Sequence, residues 1–181
     1  MKENIQAGAI RLFYLFLTGC IVGWLYEVIL GFIYGYGFVN RGFLYGPYLP
    51  IYGFGLVILT LALGKLMKTP IRAGGINVAP VFVFLGIVAI TTLIEYAAGL
   101  VLLEKFGMRL WDYSTYWMNL NGIISFNTSI RFGIGGMFLL YGLVPLTDRI
   151  IGKMTIKTRK TAMLAITGIM LADLAATLLF R

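Results

Sequence analysis

Four ionisable residues lie inside long apolar runs: Glu27, Glu95, Arg131 and Asp173. A charge within hydrocarbon costs several kcal/mol even on the gentlest insertion scale, so each needs a partner, a cavity or a function. A carboxylate there can hold a cationic group, and a guanidinium can hold carboxylate or phosphate in bidentate fashion. At helical spacing Glu27 shares its side with Cys20, Gly23, Trp24, Gly31 and Tyr34. Glu95 shares its side with Thr91, Thr92, Ala98 and Gly99, and Arg131 with Thr128, Gly135 and Phe138. These stripes are small or polar, which suits helix contact or a cavity better than lipid.

Two stretches between the runs add candidates. Residues 39–55 (VNRGFLYGPYLPIYGFG) carry Asn40 and Arg41 among glycines, prolines and aromatics. The stretch is too broken for a plain membrane helix and too apolar for a solvated loop. It reads as a lid or re-entrant plug, with Arg41 reaching down to Glu27 or Glu95. Residues 104–126 carry Glu104, Trp111, Asp112, Tyr113 and Asn119. They are too polar to span and belong at the interface, where Trp and Tyr are favoured. The candidate ligand-binding or charge-network set is thus Glu27, Asn40, Arg41, Glu95, Glu104, Trp111, Asp112, Tyr113, Asn119, Arg131 and Asp173. The competing reading is structural: a self-neutralising buried charge network that fixes helix register.

The elements that must position these residues are set by composition. The chain has 181 residues, 60% hydrophobic and 12% charged, with mean hydropathy +0.90. Soluble domains carry about twice that charge fraction, and a membrane helix needs roughly 20 apolar residues. Such runs recur without the alternation of a barrel strand. The expected fold is all-α: one transmembrane domain over 1–181, with five spans at roughly 11–36, 50–66, 78–103, 127–146 and 161–180. The first run is long, ends in aromatics and has no small-residue cleavage site, so it reads as a span and not a signal peptide.

Placing the N-terminus inside puts Lys2, Arg11, Lys65, Lys68, Arg72, Arg149, Lys153, Lys157, Arg159 and Lys160 on the inner side. The outer segments then hold Arg41, Lys105, Arg109 and Arg181. The positive-inside rule therefore favours N-in, C-out. It also accounts for the net charge of +8 without nucleic acid as a partner. On this topology Glu27 and Glu95 sit ~24 Å, and Asp173 ~18 Å, from the inner helix ends, with Arg131 within ~6 Å of its outer end. All four fall in one layer beneath the two unusual loops.

A short internal repeat is also visible. Glu27 to Gly31 in the first span is echoed by Glu95 to Gly99 in the third, each followed by an aromatic loop, an Asn, a Gly and a Gly-rich span. The single cysteine, Cys20, excludes an internal disulfide and reads as a small packing residue. The absence of histidine excludes a His-ligated metal and a Ser-His-Asp triad. No cofactor is implied.

The sequence resembles a family of small bacterial membrane proteins, the CmpB-type permeases, named putative ABC-transporter type IV. The resemblance rests on Gly23-Trp24 with Glu27, then Asn40-Arg41-Gly42-Phe43-Leu44, Gly46-Pro47 and Pro50-Ile51-Tyr52-Gly53. It continues in Glu95-Tyr96, Glu104, Trp111-Asp112-Tyr113-Ser114, Asn119, Gly122 and Ser129. One departure is visible: the family usually has a basic residue after the second loop's glycine, where this chain has Ile123 after Gly122. The resemblance implies transport. The chain has no Walker A pattern, so ATP hydrolysis would fall to a separate ATPase subunit.

Three readings follow. The first is a transport-associated or substrate-binding membrane component for a small-molecule ligand, bounded by membrane lipids. The second is a membrane-embedded enzyme acting on a lipid or lipid-linked substrate at the outer leaflet, with Glu27 or Glu95 as general base. It ranks lower, because no nucleophile–base pair is visible. The third is a structural or accessory membrane protein.

Overall fold

The computed structural model describes residues 2–40 and 42–180. Its helices are α1 (Lys2–Ile33), α2 (Pro50–Lys68), α3 (Ala79–Phe106), α4 (Phe126–Phe138), α5 (Val144–Gly152) and α6 (Ile156–Phe180). A π turn over Leu139–Leu143 joins α4 to α5, so that five helical runs are long and apolar enough to cross a membrane. The all-α expectation holds, and each expected span has its helix. Two small antiparallel pairs add to it: β1 (Arg72–Ala73) with β2 (Ile76–Asn77), and β3 (Asn119–Leu120) with β4 (Ile124–Ser125).

The boundaries differ from expectation where charged residues turn out to be helical. The fifth span was expected from Thr161, yet α6 begins at Ile156 and the basic loop shrinks to residues 153–155. Lys157, Arg159 and Lys160 are good helix formers. The Thr155 hydroxyl accepts the N–H of Thr158 at 3.2 Å in the manner of an N-cap. Counted from Ile156, Asp173 therefore lies about 26 Å along its helix, not ~18 Å. The π turn has a local cause as well. Pro145 has no N–H for the carbonyl of Tyr141, and the wider turn relieves its ring of the preceding backbone.

Backbone contacts divide the chain into two compact units, Met1–Ile58 with Leu143–Arg181, and Leu59–Gly142. In the first, α1 and the start of α2 meet at two glycines. A Cβ on Gly19 would lie 2.7 Å from the Tyr52 carbonyl oxygen, and one on Gly53 would lie 2.6 Å from that of Phe16. In lipid, close backbone approach of this kind supplies much of the association. Arg11 holds α5 through a bidentate pair with Asp148, at 2.6 and 2.8 Å. The Thr18 and Thr147 hydroxyls meet at 3.0 Å, and Tyr14 donates to the Arg159 carbonyl at 3.0 Å.

Residues 34–49 double back along α1. The Leu49 N–H donates to the Cys20 carbonyl at 3.0 Å, although Cys20 lies 13 residues, or about 20 Å, before the end of α1. Leu44, Tyr48 and Leu49 are buried, and the first two pack with Cys20, Phe16 and Met170. Cys20 is a packing residue, as expected. The stretch is thus an irregular segment folded onto the helices around it.

In the second unit, α3 packs on α4. Gly133 of α4 leaves room for Phe84 and Val88, and Gly136 for Ile87. This corrects most of the expected contact face: Thr128 is buried, but Arg131 and Gly135 are exposed, Phe138 is 61% exposed, and the glycines that do pack lie on the side set by Ser125, Ser129 and Gly133. Ser125 starts α4 with a capping box, exchanging bonds with Thr128.

Candidate functional site

Glu27 is positioned by α1 and by the Tyr52 ring, which packs against the helix one turn before it. A Cβ on Gly23 would run into the Tyr52 ring, so glycine there admits the ring beside the helix. The Tyr52 hydroxyl then donates to Glu27 Oε1 at 2.5 Å. Trp24, between the two, donates from Nε1 to Asn40 Oδ1 at 2.6 Å, and Asn40 Nδ2 donates to the Tyr45 carbonyl at 2.8 Å. Asn40 thereby joins the double-back segment to α1. Arg41, expected to reach Glu27 or Glu95, lies outside the described residues.

Asp173 does something sequence reasoning did not anticipate. Its oxygens accept the backbone N–H groups of Tyr45 at 3.0 Å and Gly46 at 2.9 Å, the Tyr48 hydroxyl, and the Thr177 hydroxyl at 3.4 Å. It is an anchor that α6 offers to the irregular segment. Burial pushes the Tyr48 phenol well above its ordinary range, and the Asp173 carboxylate raises it further. Tyr48, Tyr52 and Thr177 had been read only as aromatics or as part of a span. A tyrosine hydroxyl was the one detectable signal for Tyr48 and Tyr52.

Glu95 occupies a second, separate setting. The loop between α3 and the β3–β4 hairpin brings Tyr113 over it, and the Tyr113 hydroxyl donates to Oε1 at 3.1 Å. One turn earlier, Thr92 donates to Ser129 of α4 at 2.8 Å. Burial, then Glu95, raises the Tyr113 phenol, while the charge of Arg131 partly opposes the rise. Gly99 leaves room for Ile123, and Trp111 donates to the Ile123 carbonyl at 2.8 Å. Ile123 is 4% exposed, so the position that is basic in the resemblance is here a packing position.

Asp112 and Asn119 serve the backbone of this loop and the hairpin. Asp112 Oδ1 accepts from the Ser114 hydroxyl at 2.5 Å, its N–H at 2.9 Å and Arg109 at 3.1 Å. Those bonds, Ser114 first, hold the Asp112 carboxyl below its ordinary range. Asn119 donates to the Ser114 and Tyr116 carbonyls at 3.1 and 3.0 Å and accepts the Gly122 N–H at 3.2 Å. Gly122 sits at φ +66°, where a Cβ would also lie 2.5 Å from the Ser114 hydroxyl. Glu104 is exposed near the end of α3.

The expected buried charge network is not supported. Among the described residues, the ion pairs are Arg11–Asp148 and Arg109–Asp112. Asp173 and Glu95 are met by hydroxyls and amides, groups that satisfy a carboxylate without a second buried charge. Among the described residues, a depression of about 10 Å³ is lined by Gly99, Leu102, Met108, Arg109, Trp111 and Ile123, among others, and by none of the four membrane charges. Among the described residues no three His, Cys, Asp or Glu side chains come together as a metal site would require.

Five apolar helices with carboxylates set inside them define a polytopic helical membrane protein. The family model described as Putative ABC-transporter type IV matches residues 14–178, and the chain belongs to that family. No curated protein and no solved structure matches it.

Proposed function

We propose that the protein is a transport-associated, substrate-binding membrane component whose solute site is built on Glu27. The observation that carries this reading is a carboxylate inside a span, held by the Tyr52 hydroxyl beside Gly23 and next to Trp24, which is joined through Asn40 to a segment that folds back along the helix. Family membership supports a transporter-related role. Glu95, Arg131, Glu104, Asp112, Asn119, Trp111 and Tyr113 form a second group of site candidates, and Asp173 holds the segment above the first. Arg41 remains a candidate contact for an anionic group. The chain works as one transmembrane domain in the bacterial cell membrane, N-terminus inside and C-terminus outside, with lipid around it. A separate ATPase subunit supplies any ATP-driven step. The basic residues of the α5–α6 turn support that orientation.

The test is a thermal-shift screen of detergent-solubilised protein against amino acids, polyamines and organic phosphates. At least one class is expected to raise the melting temperature of wild type but not of Glu27→Gln. The reading fails if Glu27→Gln and Arg131→Gln fold normally and bind everything that wild type binds.

A further inference from the structure

The carboxyl group of Glu95 is half satisfied. Oε1 accepts from Tyr113, while Oε2 is shielded from solvent and meets no hydrogen-bond partner among the described residues. Glu95 lies about 24 Å along α3 from Ala79, with about 16 Å of helix still to run to Phe106. A carboxylate oxygen closed off at such a depth is costly unless its charge is matched. The groups facing it are few. The loop contributes the Tyr113 hydroxyl, with Tyr116 edge-on to that ring at 5.6 Å. The α4 helix contributes Ser129, which is bonded to Thr92, and Arg131, which is exposed and whose charge acts on Tyr113. None of them donates to Oε2.

We infer that Oε2 of Glu95 is the docking position of a small monovalent cation, a proton or a sodium ion. The step is simple in charge, and the site passes from −1 to neutral either way: a hydronium ion gives one proton to the carboxylate and leaves as water, or a sodium ion gives up part of its water and sits beside a carboxylate that stays ionised. Tyr113 holds Oε1 and leaves Oε2 as the buried oxygen with no bond among the described residues. The loop carrying Tyr113 covers Glu95 at Oε1, and loading and release go with movement of that loop. The inference deepens the transport reading by giving Glu95 a ligand class. Its readout needs no solute, so the two can fail separately.

The test is infrared difference spectroscopy on the purified protein in lipid nanodiscs, in two arms. The first steps pH in sodium-free buffer, and the second adds sodium chloride at fixed pH against a choline chloride control. A carbonyl band of a protonated carboxylic acid is expected in wild type, absent in Glu95→Gln and kept in Glu27→Gln. If sodium removes the band at fixed pH, the cation is sodium; if sodium leaves it, the cation is the proton. Identical spectra for wild type and Glu95→Gln in both arms overturn the inference. Should Glu95→Gln fail to fold, Tyr113→Phe carries the test. Losing the bond to Oε1 must shift the band, and an unmoved band overturns the assignment.

Discussion

Glu27 and Glu95 occupy settings of the same kind, built by different means. Each carboxylate sits in a long helix, accepts from a tyrosine hydroxyl, and is followed four residues later by a glycine against which the next loop lies. A Cβ on Gly31 would lie 3.2 Å from the Gly37 carbonyl oxygen, and one on Gly99 would meet Ile123. Each setting also has a tryptophan bonded to its own loop: Trp24 to Asn40, and Trp111 to the Ile123 carbonyl. The difference lies in where the tyrosine comes from. Tyr52 belongs to the first turn of a helix, held by the Gly19–Gly53 contact, whereas Tyr113 belongs to a loop held by its own side chains. The same carboxylate–tyrosine pair is therefore fixed by helix packing in one unit and by loop bonds in the other.

Glycine replacement should separate the two settings most strongly. Gly23→Leu forces a side chain into the Tyr52 ring, within a contact between helices, and Gly99→Leu does so against Ile123, within a contact to a loop. Overpacking of this kind costs about 1–3 kcal/mol. The Gly23 variant should lose more melting temperature in detergent, because a loop can shift more easily than a helix; equal losses would break the comparison. Asp173→Asn should come next, at about 2 kcal/mol for its bonds as a charged acceptor. Limited proteolysis should then cut within residues 34–49, and a cleavage pattern like that of wild type would show that the anchor is idle.

Hydroxyl removal is finer. Tyr52→Phe and Tyr113→Phe each delete one bond worth about 1 kcal/mol. Tyr113→Phe should cost more than that mean, because it leaves Glu95 with no hydrogen bond on either oxygen among the described residues. Paired melting curves decide this. The smallest effect belongs to the loop's exposed carboxylate. Asp112 is held below its ordinary range, so its contribution is fully present above the unfolded value, near pH 4, and is lost as pH falls through the folded one. Tryptophan fluorescence of the loop should change below about pH 4 in wild type, and Asp112→Asn should flatten that change.

How much of this was legible follows from the kind of force involved. The spans were readable because each apolar run must satisfy its own backbone in lipid, which leaves only a helix. Their ends were not, since Lys157, Arg159 and Lys160 look like a loop by charge but are helix formers by propensity. The β1–β2 turn has a local cause: Gly74 and Gly75 sit at φ +57° and +86°, as a two-residue hairpin requires. Glu27, Glu95 and Asp173 stood out because charge in an apolar run is conspicuous. The partners of Asp173 did not, because two of them are backbone N–H groups that every residue carries. Tyr52 and Tyr113 were present in the stretches already singled out, but nothing in a single sequence pairs a tyrosine with a carboxylate 25 or 18 positions away.

The π turn at Leu139–Leu143 amounts to one extra residue in an otherwise continuous helix. At 3.6 residues per turn, one residue is about 100° of phase. Shortly after the turn, on α5, Thr147 meets Thr18, Asp148 grips Arg11, and Ile151 is buried. Deleting Gly142 would remove one residue but leave Pro145, whose missing N–H and bulky ring an unbroken α-helix would then have to accommodate. The fourth span is thus a keyed shaft, and Pro145 is the tooth that keeps its key in place.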